Sequence, residues 1–148
     1  MLTYVLILFV IALALAPLTH FIPSKRQRKE AKLREYAAVS GMFVEFRNVP
    51  GAQQIPRQDR QVIYYGKRLP ASCSRPVKTA AWLSTKEGWR SIGPRMPVPA
   101  AALELPPEIL AISVDPSSCG VYWTEAGSEE SVDQIKQSME AWYRALTL

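Results

Sequence analysis

Few residues in this chain are suited to covalent or metal chemistry. The sequence holds one histidine, His20, and two cysteines, Cys73 and Cys119. Zinc sites and His-activated nucleophiles need several such groups brought together in one place. His20 also lies at the end of an apolar run, away from both cysteines in the sequence. We therefore predict a protein with no catalytic site, no bound metal and no cofactor. A thiol enzyme that uses one of the cysteines is the alternative.

The N-terminus carries the strongest pattern in the sequence. Residues 2–22 read LTYVLILFVIALALAPLTHFI, without a charged side chain. At about 1.5 Å per residue, a helix of this length crosses a hydrocarbon core about 30 Å thick. We therefore predict a transmembrane helix over 1–23. A cleaved signal peptide is the alternative, because residues 14–16 resemble a cleavage site. Against it, no Lys or Arg precedes the run, and Pro17 would follow the cut.

A group of basic residues, here called the collar, follows the apolar run and forms a predicted membrane-surface site. Its six cations stand against Glu30 and Glu35, which gives a local net charge of +4. Basic residues beside a span favour the cytoplasmic side, and each gains about 1 kcal/mol near an anionic leaflet. We expect the N-terminus to lie outside and the C-terminal domain in the cytoplasm. The collar residues are Lys25, Arg26, Arg28, Lys29, Lys32 and Arg34.

Charge beyond the collar is divided between two halves of the chain. Residues 46–95 carry ten Lys or Arg against two acids, a net charge of +8, and residues 96–148 carry two against eight, a net charge of −6. Either the halves neutralise each other inside the fold, or the basic half faces an anionic partner or the inner leaflet. Nucleic acid is not the expected partner, because no RNA-binding signature is present. The candidate residues for an anionic-partner surface are Arg57, Arg60, Lys67, Arg68, Arg75 and Lys78.

The elements that position these groups are predicted from periodicity and turn residues. Residues 24–41 read as a basic juxtamembrane helix, with a capping box at its start and Gly41 at its end. Residues 42–148 read as a small soluble α+β domain. In this domain, short β-branched and aromatic runs bounded by Pro and Gly predict a mostly antiparallel sheet. The expected strands are 42–49, 61–69, 79–84, 88–92, 109–114 and 120–124.

Two further segments complete the predicted domain. Apolar residues from Val132 to Leu146 follow 3-4-3-4 spacing, which predicts an amphipathic C-terminal helix. We expect its apolar face to be buried on the sheet, with a docking face for a partner helix as the alternative. Residues 93–107 hold five prolines, which favour a stiff extended connection over the sheet. A proline-rich ligand for an SH3-type domain is the other interpretation of that segment.

The layout of the first third of the chain has a family resemblance. A short outer N-terminus and one span, followed by PSKRQRKE and a β-rich domain, resemble the YajC-like accessory subunits of the Sec preprotein translocase. From residue 41 the chain reads GMFVEFRNVPG in place of that family's GDxVxTxGG. The resemblance implies a single-pass protein of the bacterial inner membrane. It also implies a non-catalytic adaptor or accessory subunit of a membrane complex, with the translocase as one candidate partner. The alternative is a module that binds membrane surfaces or anionic ligands through residues 47–95.

Overall fold

The computed structural model describes residues 1–51, 61–71 and 76–147. The chain divides into two compact units, Met1–Lys32 and Leu33–Leu148. Four residues that the sequence analysis singled out lie outside the described part, so the predictions about them stay untested. These residues are Arg57, Arg60, Cys73 and Arg75.

The first unit is dominated by an apolar helix. Helix α1 covers Leu2–Leu15, and a 3₁₀ segment continues it over Ala16–Phe21. The change from α to 3₁₀ falls at Pro17, whose ring removes a backbone donor. The stretch Leu2–His20 has a mean hydropathy of 2.5, and none of it is buried. Its length and composition allow it to cross a membrane, and an N-terminal signal sequence has the same two properties.

Helix α2 covers Lys25–Val39 and carries the collar. The predicted capping box is present: the Gln27 amide donates to Ser24 Oγ at 3.2 Å, and the Ser24 amide donates to Gln27 Oε1 at 3.0 Å. The helix ends at Val39; Gly41 lies in the turn that follows, with a φ of +88°, and the Met42 amide donates to the Ala37 carbonyl at 3.0 Å. Both ends therefore lie where the sequence placed them.

The described residues of the second unit form a six-stranded sheet and helix α3, Glu129–Thr147. The strand order is β1-β2-β6-β5-β3-β4, and each adjacent pair is antiparallel. The predicted α+β class and antiparallel sheet are therefore confirmed. The strands are β1 Phe43–Glu45, β2 Ile63–Arg68, β3 Ala80–Thr85, β4 Gly88–Ile92, β5 Ala111–Val114 and β6 Ser118–Trp123.

Strand β1 is much shorter than the predicted 42–49. Its pairing with β2 runs from Phe43 opposite Gly66 to Glu45 opposite Tyr64. Because β2 begins only at Ile63, little of it is left to pair with the chain beyond Glu45. The other five strands lie within one or two residues of their predicted ends.

Helix α3 covers one face of the sheet and forms the main core with it. The Ser128 amide donates to Ser131 Oγ at 3.2 Å, which caps the start of the helix. The apolar stripe of α3 faces the sheet, as predicted, and Leu33 and Ala37 of α2 join the same core. The buried residues of the stripe are Val132, Ile135, Met139 and Trp142.

The opposite face of the sheet is built around Tyr64. Its ring lies against Gly66 and Gly120, where a Cβ atom on either glycine would overlap the ring. The ring centre is 4.9 Å from that of Tyr122, and Tyr64 Oη lies 3.1 Å from Ser118 Oγ. The two glycines are therefore required for this aromatic side chain to lie flat on the strands.

Candidate functional site

An apolar cavity of about 500 Å³, here called the groove, opens beside the C-terminal half of α3. Its walls are residues 76–78, the proline-rich segment 96–101 and the last turns of α3, with Trp82 and Val114 of the sheet beneath them. Binding sites for small apolar ligands have volumes of about 300–1,000 Å³, so the groove is of suitable size.

Two tryptophans form the floor of the groove. The rings of Trp82 and Trp142 meet edge to face, with centres 6.1 Å apart, and both are almost fully buried. Trp82 Nε1 donates to the Met96 carbonyl at 3.1 Å, and the Met96 amide donates to Ser91 Oγ at 3.3 Å. These bonds hold the proline-rich segment against the sheet, as the stiff connection predicted from sequence requires.

Lys78 is the one charged side chain among the described residues that line the groove. It is exposed, whereas Trp82, Val114 and Trp142 are buried, so Lys78 stands at the rim and not at the floor. Within the described part of the chain it takes part in no ion pair. The groove therefore combines an apolar interior with a single positive charge at its edge.

A second polar cluster joins α2 to the sheet. Glu125 follows β6, is 4% exposed and has a φ of +58°. The Arg34 guanidinium donates to both of its carboxylate oxygens, with Nη2 to Oε1 at 2.7 Å. Tyr65 Oη donates to Oε2 at 2.6 Å. Both oxygens of the buried carboxylate therefore accept hydrogen bonds. A buried charge is strongly destabilising unless it is paired in this way.

A third contact ties α2 to α3. Tyr36 Oη donates to Asp133 Oδ1 at 2.6 Å. This hydrogen bond, together with the charge of Asp133, raises the pKa of the Tyr36 hydroxyl. Like the Arg34–Glu125 pair, this contact lies within the second unit and holds the C-terminal part of α2 against the rest of it.

The structure separates the collar into two groups. Five of its cations are exposed, and one of these, Arg26, pairs with Glu30 at 3.0 Å. Arg34 is bound to the buried Glu125, so its charge is already partnered within the fold. Binding of the collar to a membrane surface stays a prediction. The exposed collar residues are Lys25, Arg26, Arg28, Lys29 and Lys32.

The predicted anionic-partner surface is only partly described, and its described members are dispersed. Lys67 Nζ lies 4.6 Å from the centre of the Tyr143 ring, on the α3 side of the sheet. Arg68 lies over the Phe43 ring at 4.8 Å, on the opposite face. Lys78 stands at the rim of the groove. The structure does not bring Lys67 and Arg68 to one surface, because adjacent residues of a strand point to opposite sides.

Arg47 forms a cluster that sequence reasoning missed. Its guanidinium carbon lies 4.2 Å from the centre of the Tyr64 ring, and the side chain pairs with Glu45 and, at 4.0 Å, with Asp115. Stacking on an aromatic ring adds a cation–π attraction to these ion pairs. No short sequence motif predicts this cluster, because its members come from β1, β2 and the turn before β6.

Cys119 is a free thiol buried in the core. Burial raises the pKa of the Cys119 thiol to about 12. Since the thiolate is the reactive form, this cysteine is a poor nucleophile at neutral pH. In the described ranges, no three His, Cys, Asp or Glu residues lie together as a metal site.

Comparisons with known proteins give no match to this chain. No family model matches it. Neither the curated proteins nor the solved structures contain a significant relative.

Proposed function

We propose that this protein is a single-pass protein of the bacterial inner membrane that acts as a non-catalytic adaptor or accessory subunit of a membrane complex. In this proposal, α1 remains as the membrane anchor, the N-terminus is outside and the α+β domain is in the cytoplasm. Anionic headgroups hold the exposed collar, and another membrane protein is the main partner.

One observation carries the proposal. The helix that bears the collar packs one side of its C-terminal half into the core of the domain, where Leu33 and Ala37 are 2% and 0% exposed. Residues 21–32 are all that lies between the apolar stretch and this buried part. A connection of that length reaches at most about 40 Å, even when fully extended. Such a short tether suits action on a neighbour in the same membrane.

The choice of partner comes from the resemblance to the YajC-like subunits. It makes the preprotein translocase the first candidate, and the transmembrane segment offers a second contact besides the domain. Small residues at 12, 14 and 16 allow close approach of a neighbouring helix in the bilayer.

The test is recovery of a partner from cells. The full-length protein, tagged at its C-terminus, is crosslinked in intact cells, solubilised in detergent and purified. We expect an integral membrane protein to be enriched over an untagged control. As a matched control, Leu33→Asp with Ala37→Asp keeps the span and the collar but places two charges in the core. Enrichment should be lost with this variant. Failure to enrich any integral membrane protein with the unmodified chain would contradict the proposal.

A second candidate function is binding to membrane surfaces or anionic ligands through residues 47–95. The observation in its favour is the exposure of Arg68, Lys78, Arg90 and Arg95 within the described residues. The protein beginning at Ser24 would then bind anionic vesicles more tightly than neutral ones. The double reversal Arg68→Glu with Lys78→Glu should weaken that binding if this surface is used. Unchanged binding by the double variant would remove this candidate and leave the collar as the lipid contact.

A further inference from the structure

We propose that the groove holds the alkyl chain of a long-chain fatty acid whose carboxylate lies beside Lys78. Binding of a fatty acid is a separate activity from the proposed adaptor role, because it requires no protein partner. Such a ligand would occupy a cavity that the described side chains of the fold leave open.

The lining of the groove favours an alkyl chain over an extended peptide. Pro97 and Pro99 have no backbone N–H, so this wall cannot pair with a peptide strand as a sheet edge does. Trp82 Nε1 is already bonded to the Met96 carbonyl. A peptide would bring N–H and C=O groups that need partners when they leave water. A methylene chain brings none.

Size and depth agree with this ligand. The groove of about 500 Å³ has buried side chains at its floor and exposed ones at its rim, so an alkyl chain that lies along the floor loses contact with water on the side that faces the protein. Each methylene that is removed from water raises affinity about fourfold. A chain of many methylenes therefore gains most of its affinity from the tryptophan floor.

The charge at the rim selects the head group. Lys78 is the only charged residue among the described lining residues, and it takes part in no ion pair in the described chain. A carboxylate at the rim complements this ammonium group, whereas a cationic head would be repelled. A free fatty acid resides in the bilayer, so a membrane-anchored domain meets it at high local concentration.

The experiment uses the full-length protein in nanodiscs with a photoactivatable long-chain fatty acid, and adducts are located by mass spectrometry. Adducts on α1 are expected from bulk lipid and serve as an internal positive control. Adducts on residues 96–101 or 141–146 report occupancy of the groove. Ala145→Phe fills the groove from an exposed position of α3, and Gln137→Phe adds the same ring to α3 away from the lining. Unchanged thermal unfolding of both variants confirms that they fold.

We expect Ala145→Phe to reduce adducts in the groove at least about tenfold and Gln137→Phe to leave them unchanged. Lys78→Glu should reduce them about two- to fivefold, the scale of an exposed ion pair, whereas Lys86→Glu in the β3–β4 turn should not. Adducts on α1 alone would overturn the inference. So would groove adducts that Ala145→Phe does not reduce. The adaptor proposal is judged separately, by whether Ala145→Phe still recovers the membrane partner.

Discussion

Glu125 accepts hydrogen bonds from Arg34, a residue 91 positions earlier in the chain, and the closest of these bonds measures 2.7 Å. The carboxylate is buried at the end of β6, and the guanidinium belongs to the helix that carries the collar. The pair therefore makes the end of α2 part of the folded domain.

Removal of Arg34 should destabilise the domain. In Arg34→Ala the buried carboxylate loses its charged partner, and we expect the free energy of unfolding to fall by about 3 kcal/mol. Arg26→Ala is the matched control, because its pair with Glu30 is exposed and contributes less than about 0.5 kcal/mol. Denaturant unfolding of the detergent-solubilised protein, followed by tryptophan fluorescence, measures both. Equal effects of the two substitutions would contradict the structural role of the pair.

The contact between Tyr64 and Gly120 should show strong coupling. Gly120→Ala places a methyl group inside the space of the Tyr64 ring, and we expect a loss of about 3 kcal/mol. Replacement of the ring by a smaller side chain, in Tyr64→Leu, should relieve part of that loss in the double variant.

A double-mutant cycle measures this coupling. The double variant should be more stable than the sum of the single effects predicts, by about 1–3 kcal/mol. Additive effects would mean that the ring does not lie on Gly120.

Asp115 should make the fold sensitive to acid. Partial burial acts to raise its pKa, but hydrogen bonds from Ser117 and Ser118 and the nearby charge of Arg47 hold the pKa below its ordinary value of 3.8. A lowered pKa means that the carboxylate stabilises the folded state above pH 3.8. That contribution is lost as the pH falls through the lowered value.

Asp115→Asn removes this titration and keeps an oxygen that can accept the turn hydrogen bonds. Unfolding at a series of pH values should show that the stability advantage of the unmodified protein over the variant shrinks below about pH 4. An advantage that does not change with pH would contradict the role given to the charge.

Cys119 should be unreactive in the folded protein. Its burial and raised pKa, about 12, leave almost no accessible thiolate at pH 8. In a Cys73→Ser background, alkylation by iodoacetamide should therefore be slow without denaturant and rapid in its presence. Mass spectrometry of the intact protein gives both rates. Fast alkylation of the folded protein would support the thiol-enzyme alternative.

Most of the secondary structure follows from local patterns in the sequence. The α3 stripe could be predicted because Val132, Ile135, Met139 and Trp142 repeat at the helical period, and all four are buried. The six strands could be predicted because prolines and glycines bound their apolar runs. The exception is β1, whose length depends on where β2 begins and not on its own residues.

The sites depend on contacts that local patterns do not carry. Arg34 looks like any other collar cation in the sequence, and only the fold brings Glu125 to it. The groove also depends on the fold, since its walls come from the segment before β3, the segment after β4 and helix α3. Lys67 and Arg68 are adjacent in the sequence, but the fold separates their side chains. They lie in a strand, where neighbouring residues point to opposite faces of the sheet.

Labelling from one side of the membrane tests two parts of the proposal together. It shows whether the chain keeps its N-terminal helix, and whether the folded domain faces the cytoplasm. A cysteine introduced by Lys86→Cys, in the exposed β3–β4 turn, is offered a membrane-impermeant maleimide in a Cys73→Ser background, where the buried Cys119 stays silent. We predict a full-length protein that is unlabelled in intact spheroplasts and labelled after lysis. Labelling of intact spheroplasts, or a mature protein that begins after Ala16, would contradict the proposed anchor and topology.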